Sequence, residues 1–174
     1  MTYSDIIDFW FNEIDSAFWW KKDLEFDQSL VKRFKATHDK AKACELYAWR
    51  EAPLGRLAEI IVLDQFSRNM YRDKPEAFAQ DPLALALAQE AVALGQDKDI
   101  DSSKRSFLYM PYMHSESLVV HDVALKLFEN SPEFEIKHRN IIERFGRYPH
   151  RNLILGRTST KEETEFLNEP DSSF

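Results

Sequence analysis

The sequence predicts an all-helical protein, and three observations carry that expectation. Glycine is scarce, four in 174 residues, so few positions ask for a left-handed backbone. Ala, Leu, Glu and Lys, all strong helix formers, are abundant. No segment reads as a convincing strand, and no Asn-Gly or Asp-Gly dipeptide offers a hairpin turn.

Ser4 can cap a first helix that runs to Phe11, with Asp5 and Asp8 near its positive end. A loop carrying "FWWKK" follows. Trp19 and Trp20 beside Lys21 could wall a ligand pocket, although large aromatics more often pack in a core. Asp23 is placed to cap a second helix, on which Phe26, Leu30, Phe34 and Ala41 recur at helical spacing. Lys32, Lys35 and Lys42 lie mostly off that stripe, and His38 and Asp39 read as solvated surface. Cys44, alone in the chain, reads as a small buried apolar residue. Pro53 marks a break before a helix from 54 to about 69.

The segment "DPLALALAQEAVALG" alternates like a strand at its centre. Helix wins there, because Asp81-Pro82 is a cap followed by proline at the first helical position and Gly95 sits where a helix should end. A helix over 82–94 is expected. Another begins at Ser102 or Ser103 and meets Pro111, which must kink or end it. Ser115 or Ser117 caps the next, to about 129, and Pro132 starts a helix through Phe145 that Gly146 ends. "STKEETEFL" is a last short helix with Ser159 or Thr160 as cap. No linker interrupts the chain, so 1–174 reads as one domain with a core of about 4–168 and a tail, 169–174, expected to fray.

There are 23 Lys and Arg against 30 Asp and Glu, a net charge of -7. That argues against nonspecific nucleic-acid binding, which needs a broad cationic surface. No apolar run approaches the roughly 20 residues that cross a bilayer. The opening "MTYSDIIDFWF" has no basic region ahead of its apolar stretch, unlike a secretory signal. The expected setting is cytoplasmic and reducing, without a membrane or nucleic-acid partner.

Three segments place polar groups where apolar helix faces end. Leu54, Leu57, Ala58 and Ile61 share a face that continues as Asp64, Gln65, Arg68 and Asn69, and Asp64 and Arg68 are spaced to pair. Phe107, Met110 and Pro111 lead to His114, with Glu116 expected in the first turn of the next helix. Phe134, His138, Ile141 and Phe145 form a further stripe, and after Gly146 come Arg147, His150, Arg151 and Asn152. Burying unpaired Arg or His is costly, so these groups are expected to meet one another, or water, in a cleft. The cations of "RFGRYPHRN" either hold acids such as Asp64 and Glu116 or bind an anion from outside. His114, Glu116, His138 and His150 lack a recognised metal-ligand spacing, and nearby guanidiniums oppose a cation, so no metal is expected. No phosphate-cradling glycine loop, nucleophile elbow or cofactor motif is present, so no cofactor is expected either.

The blocks "DFWF", "WWKKDLEFD", "LDQFSRNMYR", "AFAQDPLALALA", "LYMPYMHSE" and "IIERFGRYPHRNLILGR" together resemble the bacterial family called domain of unknown function 924, from about Ile6 to Leu167. Ser67 departs from that pattern where proline is frequent, and Asp73 where glycine is. The resemblance implies a single-domain right-handed helical superhelix, similar to tetratricopeptide-repeat proteins but without clear sequence repeats, and it implies no activity. Two functions then fit the residues. One is a scaffold whose Asp64, Gln65, Arg68, Asn69, His114, Glu116, Arg147, His150, Arg151 and Asn152 bind an acidic peptide, a carboxylate or another anion of an unidentified partner. The other is an enzyme or sensor for a small anionic metabolite, with His114 or His138 as acid or base and Glu116 orienting it.

Overall fold

A computed structural model describes residues 1–170 and Ser172. The expected fraying of the tail therefore lies partly outside the described residues. These form nine α-helices: α1 (Tyr3–Asp8), α2 (Leu24–Lys42), α3 (Pro53–Leu63), α4 (Gln65–Met70), α5 (Asp81–Ala93), α6 (Ser102–Met113), α7 (Leu118–Leu127), α8 (Glu133–Phe145) and α9 (Lys161–Phe166). No strand occurs among the described residues, and the "LALALA" segment is helical as α5. No helix among them is long and apolar enough to cross a membrane. The chain gathers into two compact units, 1–72 with 76–111, and 73–75 with 112–174.

The first unit is built round α3. Its sequence "PLGRLAEIIVL" is apolar on nearly every side, and every residue from Gly55 to Leu63 is buried. Packed around α3 are α1, α2 and α5. Leu54, expected on the core face, is instead partly exposed at its start. Gly55 is required by a close approach: a Cβ there would lie 2.0 Å from the Trp49 carbonyl oxygen. An aromatic cluster fills the rest of the core, with Phe9, Trp10, Phe34, Phe66 and Phe107 all buried. Two charges inside α3 are matched locally. Arg50 donates two hydrogen bonds of 2.7 Å to Glu59, and Arg56 donates to Glu90 at 2.6 Å.

Several local expectations are corrected here. Thr2, not Ser4, caps α1, through a capping box with Asp5. Beyond Asp8 the chain widens into a π-helical turn, Phe9–Glu13, within which adjacent Phe9 and Trp10 are both buried. The helix expected over 54–69 breaks at Asp64, which separates α3 from α4. The Ser67 hydroxyl donates to the Leu63 carbonyl at 2.6 Å and an Arg68 N–H to the Asp64 carbonyl at 3.1 Å. Side-chain donors that take the helix's own carbonyls bend it. Cys44 is exposed rather than buried, with φ 57°. It holds the left-handed position just past α2, where Cys44 N–H donates to the Ala41 carbonyl and Glu45 N–H to the Lys40 carbonyl. His38 is buried, not solvated, because it lies on the same stripe as Phe34 and Ala41.

The second unit has a smaller apolar core of Ile141, Ile142, Tyr148 and Phe166, flanked by Leu118 and Phe145. Asp23 and Thr160 cap their helices as expected, and Gly146 ends α8 with φ 67°. Proline does not end α6, which passes Pro111 and stops at Met113; the boundary between the units falls inside it. Phe134, placed by periodicity on the inner stripe of α8, is 65% exposed, so the first turn of α8 runs off the core.

Candidate functional site

The expected polar residues fall into two sets, each within one unit. In the first unit the end of the α3 face is closed by an internal network. Asp64 is buried and pairs with Arg68 at 2.6 Å, as their spacing predicted. Arg68 also reaches Asp81 with two bonds, at 2.9 and 3.0 Å. Gln65 donates to Asp64 at 2.6 Å and contacts the Met110 sulfur at 3.4 Å. Asn69 donates to Asp27, which Arg72 grips with bonds of 2.6 and 2.9 Å. Sequence reasoning missed Asp27, Arg72 and the part played by Asp81, whose position at the start of α5 suggested only a cap.

In the second unit the residues of "RFGRYPHRN" separate by role. Arg144 and Arg147 point to acids on α9: Arg144 donates to Glu162 at 2.9 Å, and Arg147 to Glu163 at 2.6 and 2.8 Å. Arg147 also donates to the Thr158 carbonyl at 3.0 Å. Glu116, in the connector ahead of α7 rather than in its first turn, accepts two bonds from Arg157, at 2.6 and 2.9 Å, and one from the Tyr148 backbone N–H at 2.8 Å.

Tyr148 is the pivot. It is fully buried, and its hydroxyl donates to the Met113 carbonyl at 2.6 Å. The short 3-10 turn Pro149–Arg151 follows it and fixes its neighbours. The Arg151 guanidinium lies 4.5 Å from the centre of the Tyr148 ring and donates to the His114 carbonyl at 3.1 Å. The His150 and His138 rings lie 5.5 and 5.9 Å from the same ring. Asn152 is buried and donates to Ser159 at 3.0 Å. His121 completes the surround. Its Nδ1 meets Glu135 at 2.6 Å, both side chains being fully buried, and its Nε2 faces the Ser115 carbonyl at 2.8 Å.

Sequence reasoning missed Tyr148, His121, Glu135, Arg157 and Glu163. Only Glu163 carried a signal, being three residues past the capping Thr160 and thus in a capping-box position.

The electrostatics follow from these contacts. Arg147's hydrogen bonds hold Glu163 down at about 2, despite its burial. Burial would raise Glu116, but the bonds from Arg157 and Tyr148 and the charges of Arg151 and Arg157 outweigh it, and the carboxyl sits below its usual range. Burial pushes His138 down to about 3; its bond to the Phe134 carbonyl opposes this, while His114, His121 and His150 add to it. Four imidazoles therefore share one neighbourhood. Among the described residues no three His, Cys, Asp or Glu side chains gather as ligands for a metal.

Comparison with known proteins agrees with this architecture. No curated protein matches the sequence. A solved structure described as a protein of unknown function, ATU0120 from Agrobacterium tumefaciens, superposes with a TM-score of 0.91 at 38% identity, covering 95% of this chain and 96% of that one. The model of a family described as bacterial protein of unknown function (DUF924) matches residues 6–171, and the chain belongs to that family.

Proposed function

We propose that the chain is a helical binding scaffold whose second unit takes an anion, a carboxylate or the acidic end of a peptide, at the turn carrying Tyr148, His150 and Arg151. One observation supports this reading above others. The Arg151 guanidinium lies over a buried tyrosine ring, 4.5 Å from its centre, and His138 and His150 border the same ring. A planar guanidinium fork suits carboxylate and phosphate. The neighbouring imidazoles add to burial in disfavouring the charged form of His138, and an anion nearby would favour it. Arg147 and Glu116 frame the site through their own ion pairs, with Glu163 and Arg157.

The enzyme reading has less support. It needs Glu116 to orient an imidazole, and Arg157 already occupies both Glu116 oxygens. His138, at about 3, is a weak base near neutral pH. An exposed free thiol at Cys44 suits the reducing cytoplasm.

The test is a thermal melt with millimolar citrate or phosphate against chloride of equal ionic strength. The anions should raise the melting temperature of the wild type, because a ligand bound only by the folded state stabilises it. Arg151→Gln should lose that rise. An equal rise in both proteins, or none in the wild type, rejects the reading.

A further inference from the structure

Within the second unit, one tyrosine ring gathers several groups that carry or can take positive charge. The Arg151 guanidinium lies over the Tyr148 ring, and the imidazoles of His150, His138 and His121 have their centres 5.5, 5.9 and 6.4 Å from it. They come from three elements: His121 from α7, His138 from α8, and His150 with Arg151 from the turn after Tyr148. His150 and His114 are half-buried, so solvent reaches the cluster, while His138 and Arg151 are buried.

The acids of this unit are committed to other partners. Both Glu116 oxygens, ahead of α7, accept from Arg157. Glu135 of α8 meets His121 at 2.6 Å, and the other nitrogen of His121 faces the Ser115 carbonyl at 2.8 Å. From α9, Glu162 and Glu163 face Arg144 and Arg147. Asp122 of α7 and Glu143 of α8 pair with Arg139. Burial above all, with His114, His121 and His150 adding to it, holds His138 down at about 3 against the pull of the Phe134 carbonyl. An imidazole so placed charges readily only when a negative charge arrives beside it.

We propose that the anion enters this cluster together with a proton, taken up by His138 and His150, so that its affinity rises as pH falls. Resting on the anion site proposed above, this makes pH the regulator of that site. The sign follows from linkage. An anion favours the charged imidazole, so the complex holds more protons than the free protein, and binding strengthens with falling pH until the free protein is protonated too. A site of arginines alone would show no such dependence, because a guanidinium stays charged throughout.

The experiment is isothermal titration calorimetry of the full chain with sulfate, whose own charge does not change near neutral pH, at ionic strength fixed with chloride. Titrations in two buffers of unlike protonation enthalpy give the protons taken up per anion. At about pH 6 the wild type should take up about half a proton or more and bind at least about threefold tighter than at about pH 7, one whole proton being worth about tenfold. His138→Gln and His150→Gln should each take up less, and Arg151→Gln should bind no sulfate. Circular dichroism confirms that each variant is folded, and the wild-type result decides alone where one is not. Sulfate bound with equal affinity at both pH values and without proton uptake overturns the inference and leaves the anion site in place. Undiminished uptake in both histidine variants also overturns it, by placing the proton elsewhere. Binding that Arg151→Gln keeps, or no binding at either pH, overturns the anion site itself and the inference with it.

Discussion

The two units hold themselves together by different means. The first buries an apolar helix, α3, among packed aromatics, and the charges it buries beside that core, such as Glu59 and Asp64, are few against its many apolar residues and are paired with Arg50 and Arg68. The second has few buried hydrophobics and relies on polar links: Arg147 with Glu163, Arg157 with Glu116, and His121 with Glu135. Apolar packing tolerates any neighbour of suitable volume, whereas a buried polar link demands one particular partner. The first unit is therefore sensitive to lost volume and the second to lost partners.

The sharpest break of that contrast is Phe66→Ala. Phe66 is fully buried and touches Phe9, Trp10 and Phe34, so its removal leaves a cavity and should cost about 3–5 kcal/mol in urea unfolding. A loss below about 1 kcal/mol would show that the cluster is not the core.

Glu135→Ala should cost a similar or slightly smaller amount, about 3 kcal/mol or more, because it leaves buried His121 without its carboxylate. The double variant His121→Leu with Glu135→Leu should recover most of that loss, since apolar replacement of a buried pair is often neutral. A double variant no better than the single one would make the second unit a packed core like the first.

Acid should weaken both units through their histidines. Burial holds His38 at about 4 and His138 at about 3, below the ordinary 6.5. Below about pH 6.5 the unfolded chain binds protons that the folded chain refuses, so stability is full above that value and falls as pH drops. Each histidine contributes about 1.4 kcal/mol per pH unit until its folded value is reached. Glu163 adds a further loss from its usual 4.5 towards about 2. His38→Gln should flatten only its own share of the slope. Stability that stays constant between about pH 7 and about pH 5 contradicts the assignment.

The smallest effects grade the arginines of "RFGRYPHRN". Arg144→Ala removes an exposed pair with Glu162 and should cost under about 1 kcal/mol. Arg147→Ala strands the buried Glu163 and should lower the melting temperature more than either Arg144→Ala or Arg151→Ala. Equal shifts for all three would erase the distinction between an arginine that holds a buried carboxylate and those that do not.

How much of this was legible depended on sequence distance. Asp23 and Thr160 were readable as caps because a cap acts within three residues, and Asp64–Arg68 because one helical turn brings them together. Arg147 with Glu163 and Arg157 with Glu116 were not, because tertiary folding brings them together across 16 and 41 positions. The break at Asp64 was hidden for another reason: Ser67 reads as a neutral helix residue until its hydroxyl is seen on the Leu63 carbonyl. His38 was misjudged by residue type, although its place on the stripe of α2 was correct evidence for burial.

All four tryptophans, Trp10, Trp19, Trp20 and Trp49, belong to the first unit, and the second carries only tyrosines among its fluorophores of this kind, Tyr112 and Tyr148. Trp10 and Trp19 stack in the aromatic core, while Trp20 is 67% exposed. Ultraviolet emission excited at the red edge is thus a private signal of one half of the molecule, while far-ultraviolet ellipticity sums the helices of both. Two optical channels recorded on one denaturation sample can count cooperative transitions without any label, because coincident curves mean one and displaced curves mean two.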